Sequence, residues 1–571
     1  MQRIKWLFLL VSSSASTSCL AIRVAVVGGG ISGSFFVKYL SDYDEGSCAL
    51  TKVTIFDPFP MGETTTTTQD DWQGSRVSST ILSDGSVVEL GASVFYSGFQ
   101  LFVDMVMGDP SLEMGEAFNT GQEKRRPEGL RTGLGIYGGS GVWHLLTANS
   151  TSTFNNLKMF WRYNIDFFRM MFATKRVERS FALMYQVLDS THTSTFFNSP
   201  DEMWKDAGLI KPTHSSFDAF LDSIGLQRQL NWWRKYLPYQ GLLRDELLTA
   251  INLCNYNQAN SQVNGLVGLG SFVSLKAALL SIVGGNQKVI KSALQQSQTN
   301  HKRFCKKNVI TQSQSRVTAV IADLNTMELF SNEQSLGEFD VVVLAAPMQQ
   351  ARINFFVRST VDNAVILPMP FHLIDAENPE DTGDGHPLMP HSLPDVATRP
   401  YTQVVTTVVS HGDLNATRFG LENNELPRGI YTTEAGKAAE SNITAISQIT
   451  PDGVYKIFSS NRLSDSDLQE LFGTNHTVEF TKVWGGQHGG ATPDYRGQGM
   501  SMDYLLFDAG VGLKGTKQEG SALYYVNAIE GSMACMELSA IGAKSVAKLV
   551  ARRLGIVQSW ENGEDDGKNE L

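Results

Sequence analysis

Several things are scarce in this sequence, and each scarcity removes a class of function. Cysteine appears five times in 571 residues. Cys19 lies near the N-terminus; Cys48, Cys254, Cys305 and Cys535 are far apart and form no CxxC pair. That pattern is neither a metal site nor a disulfide framework. Buried thiols are expected, with room for one or two disulfides, and no metal ligand set is expected. Positive charge is also short: 47 Lys and Arg stand against 58 Asp and Glu, a net charge of −11. A nucleic-acid partner would want a basic stripe, and none is present. Beyond the first residues no apolar run approaches the ~20 residues that span a bilayer. No acid–base triad stands out either, so no catalytic side chain is singled out.

The first 21 residues, MQRIKWLFLLVSSSASTSCLA, combine Arg3 and Lys5, a short apolar run and small residues. This is a signal-peptide pattern. Four sequons, at Asn149, Asn415, Asn442 and Asn475, fit a glycoprotein of the secretory pathway. The acidic end, residues 554–571, reads as a solvated tail.

The informative stretch is IRVAVVGGGISGSFFVKYL, residues 22–40. An apolar, β-branched run suits a strand buried on both faces. Gly28, Gly30 and Gly33 follow, then helical apolar spacing. In a dinucleotide site the first glycine turns the chain, the second lets the backbone approach a pyrophosphate, and the third lets helix pack on sheet. The helix N-terminus then offers N–H groups to phosphate. The next strand, KVTIFD, ends at Asp57, placed to accept hydrogen bonds from a ribose. An adenine dinucleotide is therefore expected.

Later segments favour FAD over NAD. GSRVSST carries Arg76 and VVELGASVF carries Glu89; FDVVVLAAP reads as a further strand of the cofactor sheet. LYYVNAIEGSMACMELSAIGA reads as strand, turn with Glu530, and helix from about Met536 and Glu537. A nucleotide unit assembled from both ends of the chain is typical of large flavoproteins. These motifs, with VGGNQKVIKSAL and TTVVSHGDLN, resemble the prenylcysteine oxidases, within the flavin amine-oxidase-like group, over about residues 22–550. The resemblance implies FAD and a secretory or lysosomal (or vacuolar) lumen, or release from the cell. It also implies oxidative cleavage of the S-prenylcysteine thioether, consuming O2 and giving cysteine, a prenyl aldehyde and hydrogen peroxide, in the breakdown of prenylated proteins. By resemblance, Arg76 and Glu530 contact the pyrophosphate, flavin or ribityl side, Glu537 helps close the site, and Val317 receives adenine through its main chain. His488 and Tyr495 are minor candidates for positioning water or the amino-acid end; Asn286 and Lys288 follow a glycine pair. The loop MGETTTTTQDDWQ before Ser75 and the glycine-rich GGQHGGATPDYRGQG depart from the family pattern.

The expected fold class is α/β: a Rossmann-like FAD domain (22–100, 265–347, 480–553) interleaved with an α+β substrate domain (101–264, 348–479). Strands at Arg316–Asp323 and Phe339–Ala345 would extend the cofactor sheet. In the substrate domain, residues 154–172 read as a helix with one narrow polar stripe: Asn155, Lys158, Arg162, Asp166 and Arg169. A helix so apolar buries most of its circumference; it packs in the core, lines a channel for a prenyl chain, or touches a membrane surface. The competing functions are another flavin oxidoreductase of this fold, acting on amines or polyene lipids, and a non-catalytic prenyl-lipid carrier.

Overall fold

The computed structural model describes residues 22–63, 75–116, 131–146, 152–189, 195–226, 242–273, 279–358, 366–368, 400–485, 492–495, 497, 502–510 and 520–556. The signal-peptide segment, Asn149, His488 and most of the acidic tail lie outside them.

Strand β1 (Ile22–Val27) is almost wholly buried because parallel neighbours flank it and helices cover it. β2 (Leu50–Phe56) pairs on one side and Val341–Leu344 on the other, both parallel. The six-stranded sheet runs Ile310–Ser313, β2, β1, Val341–Leu344, Ala522–Tyr525, Leu505–Asp508. Only the last strand is antiparallel. Helix α1 (Ile31–Asp44) packs against Lys288–Cys305 and Met536–Arg553. A disulfide between Cys48 and Cys305 ties the loop after α1 to the end of Lys288–Cys305. Asp44 and His301 lie beside it, but the Cys305 sulfur is already bonded. Cys254 and Cys535 are free thiols.

Phe339–Ala345 does supply a strand of this sheet, but Arg316–Asp323 does not. Its strand, Ala319–Ala322, belongs to a separate five-stranded sheet with Met327–Ser331, Gln334–Phe339, Asn354–Arg358 and Ile366–Pro368. The edge strand beside β2 is instead Ile310–Ser313. A seven-stranded, mainly antiparallel sheet forms the second large layer: Thr477–Trp484, Val404–Ser410, Tyr455–Ser459, Ile443–Gln448, Gly429–Thr432, Leu134–Tyr137, Val142–Leu146. Its strand Thr477–Trp484 runs through the expected boundary at 479/480 without leaving the sheet.

The helix expected at 154–172 is the first half of α3 (Ser152–Asp189), broken at Asn164 by φ 53° and ψ −146°. Contrary to expectation, it does not bury most of its circumference. The polar stripe turns partly inward: Arg162 pairs with Glu246, and Arg169 with Asp166 and the Gly225 carbonyl. Met159, Tyr163, Phe167 and Met170 are buried, while Trp161 is 71% and Phe172 70% exposed. Paired charges satisfy the inward positions, so apolar residues remain for the outside.

Candidate active site

The five parallel strands all end at one edge of the sheet, and the segments leaving them gather there. They are Gly28–Gly30, Asp57–Pro58, Ser315–Val317, Ala345–Pro347 and the turn reaching Glu530. Each contributes to the wall of one cavity of about 1440 Å³. Ligands of open α/β sheets bind outside the carboxyl ends of strands. The volume exceeds the roughly 300–1,000 Å³ of ordinary small-molecule sites, so there is room for a dinucleotide and a second ligand.

The glycine loop is built by close approach. Gly28 has φ +110°, and a Cβ there would lie 2.7 Å from the Ala345 carbonyl oxygen. At Gly33 a Cβ would lie 1.9 Å from the Gly28 carbonyl oxygen, which lets α1 start directly behind the turn. Gly30 is the N-cap of α1 and supplies no side-chain cap. A Cβ at Gly30 would meet only Ser75 Oγ, at 3.3 Å. The first-turn N–H groups of α1 thus begin at a bare backbone facing the cavity, where a phosphate would supply the acceptors.

Asp57 also works within the loop. Its Oδ2 accepts from the Gly29 N–H at 2.7 Å and its Oδ1 from the Phe59 N–H at 2.9 Å. Burial raises its pKa and those two amides oppose the rise. A carboxylate has about four acceptor positions, so capacity remains for a ribose hydroxyl. Val317, buried and on the cavity wall, follows Ser313, whose carbonyl accepts from the Asp57 N–H at 3.1 Å.

Arg76 and Glu530 meet at the wall, 454 residues apart in sequence. Arg76 Nη1 donates to Glu530 Oε2 at 2.9 Å, and its Nη2 donates to Oε1. Tyr401 also donates to Oε2, at 2.9 Å, and Asn527 Nδ2 to Oε1 at 2.6 Å. Burial disfavours the guanidinium charge, but Glu530 more than offsets this and the Arg76 pKa rises. Glu530 is 2% exposed. With four donors on its oxygens, it fixes Arg76 rather than reaching freely for a ligand.

Glu537 has a different job from the one expected. It is fully buried, absent from the cavity wall, and accepts from the Leu101 and Phe102 N–H groups, both at 2.9 Å. It therefore caps α2 (Gln100–Met107), and burial pushes its pKa up to about 7. Its neighbours Cys535, Met536 and Leu538 do line the cavity. Tyr495 is buried and supports that segment, its hydroxyl accepting from the Ala534 N–H at 2.8 Å. Asn286 is likewise internal, donating from Nδ2 to the Ala92 carbonyl. Lys288 donates to the Val283 carbonyl at the surface.

The rest of the cavity is made of side chains that motif spacing does not reveal. Tyr96, Phe99, Phe181 and Ile251 give an apolar wall; Trp484 and Tyr431 come from the seven-stranded sheet. One buried cation enters among them. Lys456 Nζ donates to Ser93 Oγ at 2.8 Å and the Glu89 carbonyl at 3.1 Å, and burial lowers its pKa to about 8. Glu89 lies close by, pushed up to about 7 by burial and held by the Asn286 N–H and Ser79. The only sequence signal for Lys456 is a charge inside the apolar run VYKIF.

Fold and cavity together define an α/β protein whose glycine loop opens, through one cavity, into a second, largely apolar chamber. A family model described as prenylcysteine lyase matches residues 146–376 and 386–562. The chain belongs to the prenylcysteine lyase family. It is 24% identical over 554 residues to the farnesylcysteine lyase of Arabidopsis thaliana, covering 95% of this chain and 90% of that one. It is 22% identical to prenylcysteine oxidase 1 of Bos taurus, covering 93% and 88%. Among solved structures it is similar to a cyclohexylamine oxidase from Brevibacterium oxydans at 13% identity and a TM-score of 0.48, covering 94% of this chain and 100% of that one.

Proposed function

We propose that the protein is an FAD-dependent oxidase that cleaves the thioether of S-farnesyl- or S-geranylgeranylcysteine, using O2 and water. The observation that carries this reading is the joining, in one cavity, of an uncapped α1 N-terminus with an apolar, aromatic chamber. The first suits the pyrophosphate of a dinucleotide, and the second suits a long unsaturated chain. Each CH2 buried against such a wall contributes ~0.8 kcal/mol. Membership of the prenylcysteine lyase family supports the substrate class.

The residues that would hold FAD are Gly28 and Gly30 at the pyrophosphate, Asp57 at the ribose, Val317 at the adenine, and Arg76 on the phosphate or flavin side. Bound there, the flavin would supply a two-electron acceptor for hydride from the prenyl carbon attached to sulfur. Oxidation at that carbon followed by water addition gives a hemithioacetal, which collapses to aldehyde and thiol. The sum is R–CH2–S–Cys + O2 + H2O → R–CHO + HS–Cys + H2O2. The chain's own part is orientation and exclusion of water. Phe99, Phe181 and Ile251 hold the prenyl chain, and the Arg76–Glu530 pair keeps a fixed cation at the wall.

The setting we propose is the secretory or lysosomal lumen. The leader pattern supports it, and so does the Cys48–Cys305 disulfide, which suits an oxidising compartment. The acceptor residues Asn415, Asn442 and Asn475 are all exposed. The test is product stoichiometry. Farnesylcysteine in air should give cysteine, farnesal and peroxide in equal amounts. Peroxide from amines or polyenes but not from farnesylcysteine would move the assignment to another oxidase. Tight binding of farnesylcysteine with no product would make the protein a carrier.

A further inference from the structure

Among the described residues, twelve large apolar side chains are exposed, and seven of them belong to one helix, α3. Leu157, Trp161, Ile165, Phe168 and Phe172 follow one another at three- and four-residue spacing, so each half of the helix shows an apolar strip to the outside. Continuing that spacing from Phe172, the outward positions become Lys175, Arg176 and Arg179, all exposed, before Leu183 resumes the apolar character. In a chain of net charge −11, three cations within five residues beside an apolar strip are a local feature, not a background. No helix among the described residues is long and apolar enough to cross a membrane.

The same helix forms part of the cavity wall. Val177, Phe181 and Tyr185 line the cavity from the side of α3 opposite Phe172 and Arg179. Glu178 and Ala182, between the two faces, line the cavity and are exposed. The cavity therefore reaches the surface along one edge of α3.

We propose that the outward face of α3 docks on an anionic lipid bilayer, and that a prenylated ligand passes from that bilayer into the cavity along the Glu178–Ala182 edge. An interfacial helix inserts its apolar face ~5–10 Å into the headgroup and acyl boundary while its cations attract anionic lipid. Trp161 suits that depth, since indole partitions to membrane interfaces. A second copy of the chain fits less well: in a two-fold pairing, the basic turn would land on apolar residues or on the other basic turn. A bilayer satisfies both parts of the face at once, with headgroups beside Lys175, Arg176 and Arg179 and acyl chains beneath the strip. The docking step is independent of the oxidase reading; the delivery step rests on it.

The test is flotation of the full chain with vesicles of phosphatidylcholine alone or with one third phosphatidylserine. The protein should float with the anionic vesicles. The bound fraction should fall at least ~fivefold in K175E/R176E/R179E and in W161S/F172S. Both variants should keep the wild-type melting temperature and visible spectrum. Wild-type protein that stays unbound with both vesicle types overturns the proposal. So do variants that float like the wild type, or a wild-type dimer in solution that the serine variant splits. Delivery is read separately. Turnover of vesicle-borne farnesylcysteine should fall about tenfold in the variants, with turnover of a short-chain prenylcysteine dissolved in buffer unchanged. Equal loss on both substrates would overturn delivery alone. If the oxidase reading itself failed, no substrate would turn over, yet flotation would still decide docking.

Discussion

The two halves of the cavity are built by opposite means. At the strand ends the wall is shaped by backbone: Gly28 and Gly33 matter because a side chain would collide, and Gly30 because it leaves the α1 terminus bare. In the chamber the wall is shaped by side-chain volume from α3, the helix around Ile251 and the seven-stranded sheet. A backbone site depends on a few residues at fixed spacing. A side-chain chamber tolerates many combinations of apolar residues that keep the volume. The first should fail abruptly when altered, and the second by degrees.

The largest effect is therefore expected at Gly33. Its substitution by alanine places a Cβ 1.9 Å from the Gly28 carbonyl oxygen. Gly33→Ala should purify colourless or not fold, read from the ratio of visible to ultraviolet absorbance and from circular dichroism. A yellow, stable G33A protein would break the contrast at its strongest point.

Next comes Arg76→Ala, which leaves the buried Glu530 carboxylate without its cation. Breaking such a pair by removing one partner costs about 3–5 kcal/mol. The melting temperature should drop and flavin should be lost on dialysis, with R76K intermediate because a lysine cannot reproduce the bidentate contact. Unchanged flavin retention would mean that the pair is only a brace.

In the chamber, Phe181→Ala should keep the flavin and raise KM for farnesylcysteine roughly tenfold, from ~1–2 kcal/mol of lost apolar contact. A shorter prenyl chain should be affected less. Steady-state kinetics on both substrates checks this, and a loss of flavin in F181A would blur the boundary between the halves.

The smallest effect belongs to Glu537, which serves neither half directly. Glu537→Gln should leave flavin content unchanged, because the side chain caps α2. It should, however, change the pH dependence of stability. The folded-state pKa of Glu537 is raised to about 7, above the ordinary 4.5, so the folded protein binds the proton more tightly than the unfolded chain. The stability from this group is present below about pH 4.5 and is lost as pH rises through about 7. Melting temperatures between pH 4.5 and 7 should fall less steeply in E537Q, by a few degrees. An identical slope in wild type and variant would contradict this.

What could be read from the sequence follows the same division. The glycine spacing and Asp57 mark the strand-end edge of the cavity because backbone constraints leave few residue choices. The pairing of Arg76 with Glu530 was not legible, since it joins positions 454 residues apart. A helix start near a site suggests contact with ligand, so Glu537 reads as a site residue, while its carboxylate turns to another helix. The strand beside β2 does not show in the sequence because ITQS is short and polar, whereas SRVTAVIAD looks like a buried strand and sits in another sheet. In α3 the apolar content was plain, but the Arg162–Glu246 pair and the break at Asn164 decide which side faces out, and neither shows in periodicity. Lys456 and Trp484 reach the cavity only through the pairing of distant strands.

The central claim is that the two halves form one reaction chamber. Anaerobic mixing of the purified protein with farnesylcysteine, followed in the visible flavin band, tests it most directly. The account predicts that the band bleaches within the time of turnover and returns, with peroxide, when air is admitted. A flavin that stays oxidised while farnesylcysteine is bound would contradict it.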